Sequence, residues 1–219
     1  MKTIDLHIHT TASDGTFSPK ELVDYAVQKH LSAIAITDHD TMRGIAEAIN
    51  YIETNNLPLE IIPGIEISTS APGHYMGLHI LGYFIDQSAE KRAKTLKELE
   101  VDLNRSSKSP SDAIRIVAEH GGITSLAHPQ EYYLSVKELD ALLEQLSAVG
   151  LGGIEAFYTT HSKNDIGQYE KLANKHGMIV TGGSDFHGAR KPGVDLGRGF
   201  GDLMVPYSII DNLKQKTAA

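Results

Sequence analysis

The chain contains no cysteine and no tryptophan. Without cysteine there are neither disulfides nor thiolate ligands, so any bound metal must be held by imidazole and carboxylate, and zinc ribbons and iron–sulfur clusters are excluded. Basic residues are also scarce: 20 Lys and Arg against 28 Asp and Glu give a formal charge of −8, which argues against a broad cationic surface that tracks duplex nucleic acid. A small anionic substrate stays compatible, because metal ions can make one pocket positive on an acidic protein. No apolar stretch approaches the ~20 residues of a membrane span. No Gly/Ser linker, repeat or low-complexity tract divides the chain, and it starts on the strand-like TIDLHI with no visible secretory signal. One domain over residues 1–219 and a cytoplasmic location are the expectations.

Short apolar runs alternate with amphipathic segments from end to end, the mark of an α/β protein with mostly parallel strands. The runs predict seven strands, near 3–8, 33–37, 60–66, 77–84, 122–127, 153–158 and 178–183. Helices are predicted near 19–30, 42–55, 110–120, 136–147 and 164–176. Ser18, Ser109 and Ser135 each stand three residues before an acid, a helix-start signature. Residues 86–108 mix both charges and read as a solvated helix without chemistry.

Histidine is what the chain has in quantity, with 11 residues. His7 and His9 are two apart on one strand, so their side chains share a face and can grip one ion. Asp5 beside them is read as the acceptor that fixes an imidazole tautomer. Asp14 lies in SDG. His39 follows the apolar run AIAIT within Asp38-His39-Asp40, where charge is costly unless it meets solvent or metal. Asp40 or Thr41 is assigned to capping the next helix. Glu66 ends the third strand and has two oxygens, so it is the expected metal bridge. His128 in LAHP, and Asp185 with His187 in GGSDFH, complete the strand-end set, and Gly182-Gly183 permits close approach of backbone or substrate. His79, early in its run, reads equally as a core histidine. His30, His120 and His176 fall at helix C-termini and are read as structural; His74 has no role. His161 after the sixth strand is a candidate substrate contact, Glu155 on that strand a supporting group, and Arg190, Lys191 and Arg198 candidate phosphate contacts. Except for His79, the ligands gather at C-terminal strand ends, which share one face in a barrel and not in an open sheet.

Taken in order, DLHIHTTASDGTFSP, AITDHDT, IPGIEIS, HILG, LAHP, GIE and GGSDFHG with KPGVDLG resemble the polymerase and histidinol phosphatase (PHP) family from about residue 3 to residue 200. Within it the chain looks most like small bacterial nucleotide phosphoesterases, among them nucleoside 3',5'-bisphosphate phosphatases and 5'-to-3' exoribonucleases. The resemblance implies a distorted (β/α)7 barrel carrying three divalent ions. His7, His9, Glu66 and Asp185 would hold the first, Glu66, His79 and His128 the second, and Asp14, His39 and His187 the third. Glu66 and Asp185 would be the central catalytic ligands, and Mn2+, Fe2+ or Zn2+ suits these N/O donors. The implied reaction is hydrolysis of a nucleotide, nucleoside bisphosphate or short single-stranded oligonucleotide by a metal-activated hydroxide. An amidohydrolase-like C–N hydrolase and a non-catalytic metal-binding regulatory domain are the competing readings. The first lacks a strand-end lysine for a carbamate bridge, and the second would be favoured by a missing ligand. The helical insertion usual before LAHP is shortened here to residues 86–121, which leaves the substrate class open.

Overall fold

β-Branched and apolar runs too short for a helix, each closed by turn residues, become strands, and serine-capped amphipathic segments become the helices between them. The structure is a computed structural model that describes residues 2–70, 77–85, 99, 102–104 and 108–217. Its elements are β1 (Thr3–Ile8), α1 (Pro19–Gln28), β2 (Ala33–Ile36), α2 (Arg43–Asn55), β3 (Glu60–Thr69), β4 (Leu78–Tyr83), α3 (Pro110–Glu119), β5 (Ile123–Leu126), α4 (Val136–Ala148), β6 (Gly153–Tyr158), α5 (Lys163–Lys175), β7 (Ile179–Gly183), β8 (Val205–Pro206) and α6 (Ser208–Thr217). Ser18 and Ser135 form reciprocal capping boxes with Glu21 and Glu138, and Ser109 accepts from the Asp112 amide.

The strands form one sheet in the order β7-β6-β5-β4-β3-β2-β1-β8. β1 to β3 are mutually parallel, as are β5 to β7, but β4 runs antiparallel to both neighbours. The end of β7 then meets β1: Asp185 N donates to His7 O at 2.8 Å and His9 N to Phe186 O at 2.9 Å. This contact nearly closes the sheet into the expected distorted barrel. Gly183 is required at the seam, since a Cβ there would lie 2.3 Å from His7 N.

Three features differ from the sequence reading. β4 is reversed, β8 is an eighth strand of two residues paired with Thr3 and Ile4, and α6 follows it. Ile209, Ile210 and Leu213 of α6 pack with Ile4, Ala33, Ile62 and Tyr83 in the barrel interior. Tyr207 and Lys214 bond Glu60 at 2.5 and 2.8 Å, and Lys216 reaches Gly152 O and Gly177 O at 3.2 and 2.6 Å. These partners stand at or just before the starts of β3, β6 and β7, so α6 plugs the base. A larger apolar layer, including Leu22, Ile45, Val117, Leu143 and Leu172, joins the other helices to the outside of the sheet. Of the charged segment 86–108, most residues lie outside those described; Leu99 and Leu103 are buried.

Candidate metal centre

His7 and His9 project from β1 to one side, as their spacing requires, and their neighbours arrive from five other strand ends. The nine predicted ligands come together. Glu66 is 1% exposed and stands at the middle. Its Oε2 lies 3.1 Å from His7 Nε2, 3.0 Å from His9 Nε2 and 3.4 Å from His39 Nδ1. Its Oε1 lies 2.9 Å from His79 Nδ1 and 3.1 Å from His128 Nε2. Asp185 Oδ1 is 3.3 Å from both His9 Nε2 and His187 Nδ1, and Asp14 Oδ1 is 3.3 Å from His187 Nε2 and 3.5 Å from His9 Nδ1. The reversal of β4 accounts for His79: the beginning of an antiparallel strand lies at the same rim as the ends of the parallel ones.

The donor set fits metal ions. Among the described residues, His7 Nε2, both ring nitrogens of His9, His39 Nδ1 and His128 Nδ1 are buried without a hydrogen-bond partner, an arrangement that costs free energy unless another ligand takes up the lone pairs. Four overlapping groups of three or four donor atoms, drawn from these nine residues, have all atoms within 4.8 Å of one another. Burial alone would raise Glu66, but the imidazoles of His7, His128 and His79 hold it well below the usual carboxylate range. Asp185 is depressed likewise, burial being outweighed by His7 and His9. His187 is pulled down to about 4 by burial and by neighbouring His9, and burial lowers His39. His7, His9 and His128, which burial alone would lower, are instead raised by the carboxylates beside them, His9 to about 9, so that part of the cluster holds protons which a bound cation would displace. His128 and Asp185 also hold left-handed backbones, with φ of 24° and 57°, strain of about 1–3 kcal/mol each that non-glycine residues keep where the surroundings enforce it.

Supporting contacts depart in part from expectation. Glu155, fully buried, holds His7 Nδ1 at 3.0 Å and accepts from His128 N at 2.8 Å. It does for the imidazole what was assigned to Asp5. A register irregularity in β1 between Asp5 and Ile8 breaks the two-residue alternation. Asp5 instead accepts from the backbone of His7, Ser184 and Gly197 and from the Ser184 hydroxyl, and so fastens the β1–β7 seam. Nor does Asp40 cap α2: that helix starts after Met42, its first amide, Arg43 N, donates to Thr41 Oγ1 at 3.4 Å, and Asp40 accepts from Ser68 N at 3.2 Å.

Of the candidate substrate contacts, Lys191 lies at the cluster with its ammonium on Asp185 Oδ2, the oxygen that also accepts from Tyr158 at 2.8 Å. Arg190 and Arg198 are exposed and form no ion pair with the cluster. His161 is buried behind Tyr158, its ring 5.1 Å from that of Tyr158 and 4.9 Å from that of Tyr169, with Nδ1 2.8 Å from Ala156 O. This placement does not bring it among the converging nitrogens. Sequence reasoning missed Tyr158 and Tyr132, whose hydroxyl accepts from His79 N at 3.0 Å; buried tyrosines carry no spacing signal. His120 and His176 sit at helix ends as read, on Ile116 O and Asp140, and His74 lies outside the described residues.

A buried set of imidazoles and carboxylates at the rim of a distorted α/β barrel defines the class of metal-dependent hydrolases. The chain belongs to the PHP domain family, whose pattern matches residues 5–188. It is 30% identical over 260 aligned residues to the 5'-3' exoribonuclease Rnm of Escherichia coli, covering 89% of this chain and 88% of that one. It is 26% identical to the 3',5'-nucleoside bisphosphate phosphatase of Chromobacterium violaceum, covering 90% and 91%. A Bifidobacterium adolescentis structure designated a metal-dependent phosphoesterase superposes with a TM-score of 0.74 at 25% identity, over 98% of this chain and 96% of that one. The exoribonuclease alignment of 260 positions exceeds the 219 residues of this chain, so that relative carries residues absent here.

Proposed function

We propose that this chain hydrolyses phosphate esters of nucleotides or short single-stranded oligonucleotides at a centre of three divalent ions. His7, His9, Glu66 and Asp185 would hold the first, Glu66, His79 and His128 the second, and Asp14, His39 and His187 the third. The observation that carries the reading is the division of Glu66: one oxygen faces His7, His9 and His39, the other His79 and His128. That is the disposition a bridging carboxylate needs. When bound, such ions lower the pKa of water towards ~7 and neutralise charge on a phosphoryl group.

The chain's own residues set the geometry. Glu155 orients His7 and fixes the backbone of His128, so one buried carboxylate aligns ligands of two ions. Asp185 divides its oxygens, one towards His9 and His187 and the other towards Tyr158 and Lys191. A phosphate dianion would draw Lys191 from Asp185, giving the substrate a cationic contact at the rim. All nine ligand positions are filled, which supports catalysis over a purely structural role.

The test is element analysis of protein purified without chelator, with a hydrolysis screen over nucleotides, nucleoside bisphosphates, short RNAs and an activated aryl phosphate. Close to three ions per chain are expected. With residues 86–121 in place of a longer cover, the aryl phosphate should be hydrolysed with high KM and with little preference among nucleotide bases, because positioning groups raise effective concentration while the metals perform the chemistry. One ion or fewer after reconstitution with manganese, iron and zinc would defeat the trinuclear reading. Tight, base-selective turnover of one nucleotide would defeat the open-cover reading.

A further inference from the structure

Asp38 lies just past β2, immediately before His39, is fully buried, and forms no ion pair among the described residues. It does not belong to the converging donor groups. A buried carboxylate without a cation is costly unless every oxygen is satisfied, and here three donors serve it. Oδ1 accepts from Thr10 N at 2.7 Å and from the Ser13 hydroxyl at 2.6 Å, and Oδ2 accepts from the Thr10 hydroxyl at 2.7 Å. Thr10 then organises the turn that follows: its hydroxyl oxygen accepts from Ala12 N at 3.1 Å, and its carbonyl accepts from Ser13 N and Gly15 N at 3.2 and 2.9 Å. Room for this arrangement comes from Gly44 of α2, where a Cβ would lie 3.1 Å from both Asp38 Oδ2 and the Thr10 hydroxyl.

The turn delivers Asp14. Its side chain is 40% exposed, while the imidazoles it faces, His9 and His187, are 0% and 6% exposed. A half-solvated carboxylate has little packing of its own to fix it, so its position follows from the turn beneath. We propose that Asp38 is the positioning residue for the third metal position: by fixing Thr10 and Ser13, on which the turn 10–15 is built, it holds Asp14 opposite His187 and His39 before any ion arrives. This inference rests on the trinuclear reading. The role favours aspartate, since asparagine would turn its NH2 group either to the Thr10 N–H and the Ser13 hydroxyl, losing the Thr10 N–H contact, or to the Thr10 hydroxyl, which must then accept where it now donates while it also accepts from Ala12 N.

The experiment is metal binding by wild type, Asp38→Asn and Ser13→Ala, followed by element analysis after dialysis and by titration with manganese and zinc. Asp38→Asn should hold close to two ions where wild type holds close to three, with the weakest class of site shifted about 10–100-fold, as supporting groups of metal ligands do. Ser13→Ala, which removes a hydroxyl that lies 2.6 Å from Asp38 Oδ1 and 3.3 Å from Asp14 Oδ1 and leaves both Thr10 contacts of Asp38 in place, should shift the same class in the same direction by less. A role confined to folding would lower thermal stability without selecting one site. Three ions in both wild type and Asp38→Asn, or equal weakening of all sites, would overturn the inference. Should Asp38→Asn not fold, unchanged metal affinity in Ser13→Ala would overturn it. One ion or fewer in wild type would instead sink the trinuclear reading and this inference with it.

Discussion

Glu66 and His120 both carry polar atoms against neighbouring groups, yet substitution should separate them cleanly. Glu66→Gln keeps shape and volume while removing the charge that two sets of imidazoles share. We expect kcat/KM to fall at least ~100-fold, about 2.7 kcal/mol of transition-state stabilisation, with the circular dichroism spectrum unchanged. His120 caps the end of α3 on Ile116 O, so His120→Ala should lower stability by about 0.3–1 kcal/mol and leave kcat/KM intact. Comparable catalytic losses in the two variants would refute the division between ligand and structural histidines. That division was legible from sequence because ligand spacing and helix ends are local patterns. The partners behind the ligands were not: Glu155 reaches His7 across 148 positions, and the nearness in sequence that pointed to Asp5 does not say which way its side chain turns at the β1 irregularity. The surroundings of His161 were illegible for a similar reason, since nothing in EAFYTTH indicates that the turn folds the ring back onto Tyr158 and Tyr169.

Among the elements, helix starts were legible because a serine three residues before an acid satisfies orphan amides locally, and α1, α3 and α4 begin where those serines placed them. Strand direction was not legible, because an apolar run has the same pattern read either way. That is why His79 stood apart until β4 proved antiparallel. The segment after β7 is attached to α1 through Asp195, which accepts from Tyr25 at 2.6 Å and Lys29 at 2.5 Å. Burial would raise the Asp195 carboxyl, but Lys29 and Tyr25 more than offset this and hold it below the usual range. A folded-state pKa below the unfolded value of about 3.9 contributes stability that is present above that value and is lost as pH falls through the folded one. Asp195→Asn should therefore lower Tm near pH 7 by an amount equivalent to at most about 1 kcal/mol, partial exposure screening the pair. The difference from wild type should vanish in strong acid. A Tm difference that grows on acidification, followed by calorimetry from pH 7 to pH 2, would contradict this account.

At the scale of the whole molecule, the barrel depends on a part that the sequence pattern hardly announced. β8 has two residues and α6 has ten, too little periodicity to read, yet Ile209, Ile210 and Leu213 are at most 5% exposed beneath the barrel. Three such side chains at roughly 1.5–3 kcal/mol each rival the ~5–15 kcal/mol of a typical domain's net stability. Removal of residues 205–219 should therefore abolish cooperative thermal unfolding in scanning calorimetry, and a truncated chain with a sharp transition near that of the full chain would show that the plug is dispensable. The reversed β4 acts on the same scale. Because Thr69 and Leu78 pair at the rim while Tyr83 pairs with Gly64 and Ile123 deeper in the barrel, the chain passes from β3 to β4 beside the ligands and leaves β4 on its way to the base. The fold thus offers two separately editable sites of lengthening: residues added between Thr69 and Leu78 meet the ions at once, whereas residues added just after Tyr83 set out from the base, so a cover built there has to be long enough to climb the barrel before it alters what reaches the ions.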